Sequence, residues 1–339
     1  LLTEDTGSRS TAIGYSALST QNFGTNNYNV AVGYAAGTSV ASGLKNTLIG
    51  SLAGDALTDG IENVVVGYAA LSAEDGHGKN VAVGAYALNA LNAGADAYNV
   101  ALGYQAGVNV STGVRNVIMG GLAGDALTTG SDNVALGNSA LSAEDTGSKN
   151  TAVGSYALQD VNYAGDGHNT AVGYVAGQEI TTGTQNTIIG SQAGDALTTG
   201  GSSIAIGYRA LTTEDTGSYN IAIGTYALEN QDAGDAYNVA IGYFAGKAVT
   251  TGVQNTLIGA QSGDAITSGI RNTVLGYNAL SSDTTGNGSV AIGSQTLTSQ
   301  NFLLGEATYN TAVGDEAGND ITDGQENTFI GALAGDAVT

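Results

Sequence analysis

Residues 29–34 read Asn-Val-Ala-Val-Gly-Tyr, and close variants of this stretch occur nineteen times in 339 residues. Residues 46–51 read Asn-Thr-Leu-Ile-Gly-Ser, 99–104 Asn-Val-Ala-Leu-Gly-Tyr and 169–174 Asn-Thr-Ala-Val-Gly-Tyr. The glycine closing each copy falls at positions 14, 33, 50, 67, 84, 103 and onward to 331, mostly 17 residues apart, with a longer step every fourth time. Four unlike copies therefore make one larger unit: Gly33 to Gly103 and Gly103 to Gly173 are each 70 residues. Self-similarity at a fixed short period is the mark of a solenoid, in which each repeat buries its face against its neighbours.

The copy reads as a strand. Three places before each glycine stands Thr, Val or Ile (Thr11, Val30, Thr47), and one place before it an aliphatic residue or Met119. β-Branched residues at alternate positions, bounded by Gly, Asn, Asp and Ser, favour an extended backbone. Seventeen residues predict a coil of two short strands and two tight turns. Coils stacked at about 4.8 Å would put nineteen of them in a rod roughly 90 Å long. The expected architecture is all-β: a parallel β-solenoid or β-roll of about 19 coils, continuous over residues 1–339. Leu1–Gly14 aligns with Leu211–Gly224, and the chain begins and stops inside a coil without a polar cap. That reads as a window on a longer repeat protein.

The residue opening each strand is Asn29, Asn46, Asn63, Asn80, Asn99 and so on, with serine only at Ser10, Ser203 and Ser289. Stacking would turn these asparagines into a hydrogen-bonded column; a second reading is that they merely tolerate a turn conformation. Three places after the glycine stands alanine in seventeen of nineteen copies, Ser262 and Thr296 excepted, so something packs closely there. Strand residues apolar on both faces need cover on both. The coil's second strand would cover one face and another copy of the chain the other, which predicts a homo-oligomer.

The composition sets bounds. There are 53 Gly and no Pro, Cys or Trp, and the net charge is −22. Proline would remove a ladder donor wherever it stood in a stacked sheet, and without cysteine no disulfide stiffens the fold. The strong negative charge argues against nucleic acid and anionic membranes as partners. No apolar run approaches the roughly 18 residues a membrane span needs.

The coils resemble the head repeats of trimeric autotransporter adhesins, and still more the Asn-Thr-Ala-Val-Gly-Tyr-x-Ala-Gly and Glu-Asp-Thr-Gly-Ser repeats of marine phage long tail-fibre proteins. The resemblance spans the chain through Asn, the β-branched residue, Ala, the aliphatic residue, Gly and the downstream Ala. It implies a left-handed roll and a homotrimer. It further implies a structural shaft of an extracellular or virion fibre holding a receptor-binding tip, where a cell-surface glycan or protein is the receptor. A cell-surface adhesin or self-assembling extracellular filament is the alternative.

No residue announces catalysis. His77 and His168 occupy unlike loop positions and read as solvated, and no base stands beside the many hydroxyls. Catalytic, cofactor-binding and metal-site residues are accordingly expected to be none, and the chain is expected not to be an enzyme. Calcium is the ion these acids suit: Asp55 with Glu74 and Asp75, Asp125 with Glu144 and Asp145, and Asp195 with Glu214 and Asp215 offer hard oxygen ligands from adjacent loops. Solvated acids that keep the surface soluble explain the same residues. Tyrosines recurring after the glycine would stack on sugars or pack between coils, and threonine is too often replaced by Val and Ile for an ice-binding array.

Overall fold

The computed structural model describes residues 9–303 and 305–338, so the opening segment 1–8 of the first coil lies outside the described residues. The protein is an all-β parallel solenoid of about 19 coils. Every strand is three residues long and ends immediately before the periodic glycine, from Thr11–Ile13 to Thr328–Ile330. The chain divides into two compact units at His168/Asn169. In the first unit, strands Thr11–Ile13 through Thr151–Val153 pair in sequence order, parallel and in one register, Val30 opposite Thr47 and Val32 opposite Ile49. The second unit repeats this from Thr170–Val172 to Thr328–Ile330.

The expected second strand is absent from the described coils, and a chain of turns stands in its place. The residue two places after each glycine has a positive φ in all nineteen coils, whether it is Ala35 (φ 53°), Tyr86 (61°), Val175 (50°) or Phe244 (61°). The residue four places after is also left-handed, as Leu18 (46°) or Gly37 (57°). Left-handed backbone is costly for residues with a Cβ, and β-branched Val175 is an outlier there. Ladder hydrogen bonds hold the conformation: Ala35 N–H donates to Tyr15 O (2.8 Å) in one neighbouring coil, and Gly37 N–H to Ala53 O (2.9 Å) in the other. Coil-to-coil pairing therefore continues around the turn side without a regular strand.

The two faces of the strand divide between core and surface. The middle strand residue, from Ala31 and Leu48 to Ala312, is fully buried. Its β-branched and aliphatic flanks point outward, and Ile49, Val64, Leu102, Met119 and Leu275 are exposed. The core is filled by that middle residue, by the alanine column (Ala36, Ala53, Ala70) and by a column seven places after the glycine (Val40, Leu57, Leu91). Sizes interlock between columns. Where the middle residue is Leu48, the residue four places after that coil's glycine is Gly54, whose added Cβ would lie 2.9 Å from Leu48 Cδ2. Where the middle residue is Ala82, the same place holds buried Leu88.

The periodic glycine is required twice over. Gly33 has φ +146°, and a Cβ there would lie 2.4 Å from the carbonyl oxygen of Gly50 in the next coil. The asparagines form the expected column, with a difference in wiring. Each side-chain oxygen accepts mainly the backbone N–H of the next asparagine (Asn46 N to Asn29 Oδ1, 2.8 Å). The amide nitrogen donates across the coil to a glycine carbonyl (Asn46 Nδ2 to Gly60 O, 2.7 Å). Ser203 keeps the column intact, receiving Asn220 N–H on its hydroxyl at 3.3 Å.

Candidate functional site

Let the coils of Gly33, Gly103, Gly173, Gly242 and Gly314 be the first type, and the coils that follow each in order the second, third and fourth. The core column seven places after the glycine is then aliphatic in the first two types and carries a carboxylate in the third: Glu74, Glu144, Glu214 and Asp283, all fully buried. The reason is local. In the first coil type the backbone N–H ten places after the glycine reaches the next coil, as Gly43 N does to Thr58 O (3.2 Å) and Gly113 N to Thr128 O (3.3 Å). Above the third type runs the longer fourth-type loop, and the buried acid takes over this donor. Glu144 Oε1 accepts Gly147 N–H at 2.7 Å and Glu214 Oε1 accepts Gly217 N–H at 2.7 Å. Glu74 Oε1 accepts the backbone N–H of His77 at 3.0 Å and lies 3.3 Å from its Nδ1.

The other oxygen, Oε2, is buried without a hydrogen-bond partner in Glu74, Glu144 and Glu214. Burial raises the Glu144 carboxyl above its usual range, the Gly147 amide opposing. The Glu214 carboxyl is pushed up to about 7, by burial first, with Asp232 and Asp215 adding repulsion and the Gly217 and Ala233 amides opposing. Asp283 differs: Oδ1 accepts Gly286 N–H (3.0 Å) and Phe302 N–H (3.2 Å), and Oδ2 accepts Gln300 Nε2 (2.6 Å).

Two clusters place the ligand atoms of three candidate residues within 4.8 Å of one another: Glu74, Asp75 and His77, and Glu214, Asp215 and Asp232. Asp55, Asp125 and Asp195 join neither. Each of these three keeps one oxygen buried without a partner, and burial raises its carboxyl. His77, read from sequence as a solvated loop residue, is instead drawn against Glu74, whereas His168 sits half-exposed with Nε2 3.9 Å from Asp166 Oδ2. Asp232 was missed because it lies in the variable fourth-type loop. The signal that would have found it is its phase, eight places after Gly224 as Asp215 is eight places after Gly207.

Two further surfaces are ordered by the stacking. Tyr34, Tyr68, Tyr104, Tyr174, Tyr208 and Tyr243 are exposed beside the outward strand face, and Tyr15 stacks on Tyr34 with ring centroids 5.5 Å apart. Six of the eight basic residues (Arg9, Lys45, Lys79, Arg115, Lys149 and Arg271) stand five places before a periodic glycine. Four of them meet an acid one coil on: Lys45–Glu62 at 3.0 Å, Lys79–Asp96 at 2.5 Å, Arg115–Asp132 at 2.6 Å and Lys149–Asp166 at 2.6 Å. No helix of the described residues is long and apolar enough to cross a membrane. Compared with known proteins, the chain matches no family model and no curated sequence.

Proposed function

We propose that the chain is a structural, non-enzymatic shaft of an extracellular or virion fibre, which carries a receptor-binding tip away from a surface. The observation behind this reading is the unbroken register within each unit: every coil repeats the pairing of the one before, so length is added without new folding information. Backbone hydrogen bonds run from coil to coil on both the strand and the turn sides, which suits a stiff spacer. The resemblance to phage tail-fibre and adhesin-head repeats points the same way, and the −22 charge disfavours nucleic acid as a partner.

The assembly proposed is a homotrimer. Its support is the outward strand face, where aliphatic side chains such as Ile49, Leu102, Met119 and Leu275 recur coil after coil without cover from the chain's own core. Recurring exposed apolar side chains on a sheet face are a mark of association. The second reading, an adhesin or filament whose coils contact partners directly, is favoured by the exposed tyrosines, since aromatic rings suit glycan and protein surfaces.

Sedimentation equilibrium and electron microscopy of the purified protein test the shaft. The expected result is three chains per particle and straight, uniform rods. A monomer would remove the trimer, and flexible or globular particles would remove the shaft.

A further inference from the structure

We propose that Glu214, Asp215 and Asp232 form a binding site for one calcium ion, held between a third-type coil and the fourth-type loop above it. Ligand atoms of the three carboxylates lie within 4.8 Å of one another, one residue buried and two exposed. Oxygens sharing a calcium ion at 2.3–2.6 Å are at most about 5 Å apart, so this separation fits a common ion. Three carboxylates offer as many as six oxygens, and water entering past the two exposed aspartates completes the usual shell of roughly 6–8. An oxygen-only, acidic donor set selects a hard divalent cation over zinc or copper.

The independent observation is the buried side chain. Glu214 is fully buried, and Oε1 alone meets the structural demand of capping Gly217 N–H. Oε2 has no hydrogen-bond partner, and the carboxylate lies within the cluster formed with Asp215 and Asp232. A buried anionic oxygen left without a partner is expensive, and two further anions beside it make it more so. Among the described residues no ion pair engages any of the three. A bound cation removes both costs.

The internal repeats supply a comparison. In the coil carrying Asp283, the positions matching Asp215 and Asp232 are Thr284 and Asn301. There the buried carboxylate is fully satisfied, through Gly286, Phe302 and Gln300. At Asp283, where both outer acids are lost, the inner acid is paired internally. At Glu214, where both are present, its second oxygen is left open, as it also is at Glu74 and Glu144, where only the nearer acid, Asp75 or Asp145, remains. Capping alone explains Asp283 and leaves the outer acids of the Glu214 site without a role. At Glu144 the place of Asp232 is taken by Asn162, and Asp145 instead accepts a hydrogen bond from Thr128 Oγ1.

Calorimetric titration of the EDTA-stripped full chain with calcium chloride, alongside thermal melts with and without the ion, tests the site. Saturable binding is expected, with Kd on the order of 10⁻⁴–10⁻³ M as in extracellular modules, together with a higher melting temperature. Asp232→Asn, at an exposed position that leaves the core intact, should remove one equivalent of calcium and reduce the melting shift. Glu214→Gln should do the same, whereas Asp59→Asn, an exposed acid remote in sequence, should leave both unchanged. No saturable binding by the wild type would overturn the site, as would an unchanged calcium stoichiometry in Asp232→Asn. Full displacement by equimolar magnesium would overturn the assignment to calcium.

Discussion

Asn116 illustrates how much one side chain does in this fold. It is fully buried, its Nδ2 donates to Gly130 O at 2.9 Å, and its Oδ1 accepts Asn133 N–H at 3.0 Å. Asn116→Ala strands a carbonyl and an N–H in the interior, and should lower stability by about 1–3 kcal/mol, read from urea-unfolding midpoints. Asn116→Ser should cost less, because a hydroxyl already does this work at Ser203. Gly120→Ala is harsher: the new Cβ would lie 2.3 Å from the Gly137 carbonyl oxygen, at φ +141°. A loss of at least about 2 kcal/mol is expected, in the class of backbone-incompatible substitutions. Glu214 makes a pH prediction for the chelated protein. Its folded-state carboxyl is raised from 4.5 to about 7, so the native state holds this proton more tightly than the unfolded chain. The sign follows: the Glu214 contribution should lower stability as pH rises from about 4.5 to about 7. Asp215 and Asp232 face the same carboxylate, and the backbone amides of Gly217 and Ala233 oppose them. Glu214→Gln should flatten that part of the stability-versus-pH curve; a slope equal to wild type would show that the burden lies elsewhere.

At the level of the coil, one layer depends on Leu48 and Gly54 sharing a single volume. Leu48→Ala leaves a cavity and should cost about 2–5 kcal/mol, while Gly54→Leu overfills the layer and should cost about 1–3 kcal/mol. Other coils hold the opposite arrangement, Ala82 with Leu88, and Leu88 adopts φ 47° where Gly54 has 55°. The double variant should therefore be more stable than the sum of the single losses predicts, and an additive result in thermal melts would refute the shared-volume account. The strands were readable from residues alone because glycine marks each strand end and β-branched residues alternate before it. The turn side was not. Left-handed backbone is normally announced by Gly or Asn, yet Val175, Phe244 and Tyr86 adopt it under the constraint of neighbouring coils. Burial direction was also hidden, because alternation names two faces without saying which is inside: small Ala31 faces inward and larger Val32 outward. For the acidic site, spacing revealed Glu214 and Asp215. Asp232 stayed out of view because its loop has no constant length, and Asp195, one coil away in count, lies outside the cluster.

For the whole molecule, the four-coil unit is the natural quantum of length. Removing residues 34–103 joins Gly33 to Tyr104 in unchanged phase and deletes four coils. The shortened protein should fold with the same circular-dichroism spectrum and lose about 19 Å along the stacking direction, at 4.8 Å per coil. Removing 17 residues from inside the unit should instead juxtapose unlike coil types and lower the melting temperature. The column two places after the glycine has a consequence of another kind. Its backbone is set by neighbouring coils, and it already accepts Ser16, Leu52, Tyr86, Gln105, Arg209, Phe244 and Glu316 at nearly the same φ. Side-chain identity there varies widely on one backbone conformation, so evolution or an engineer can respell a row of half-buried groups while the turn keeps its shape. Within each unit the chain is a ruler whose graduations can be individually inked.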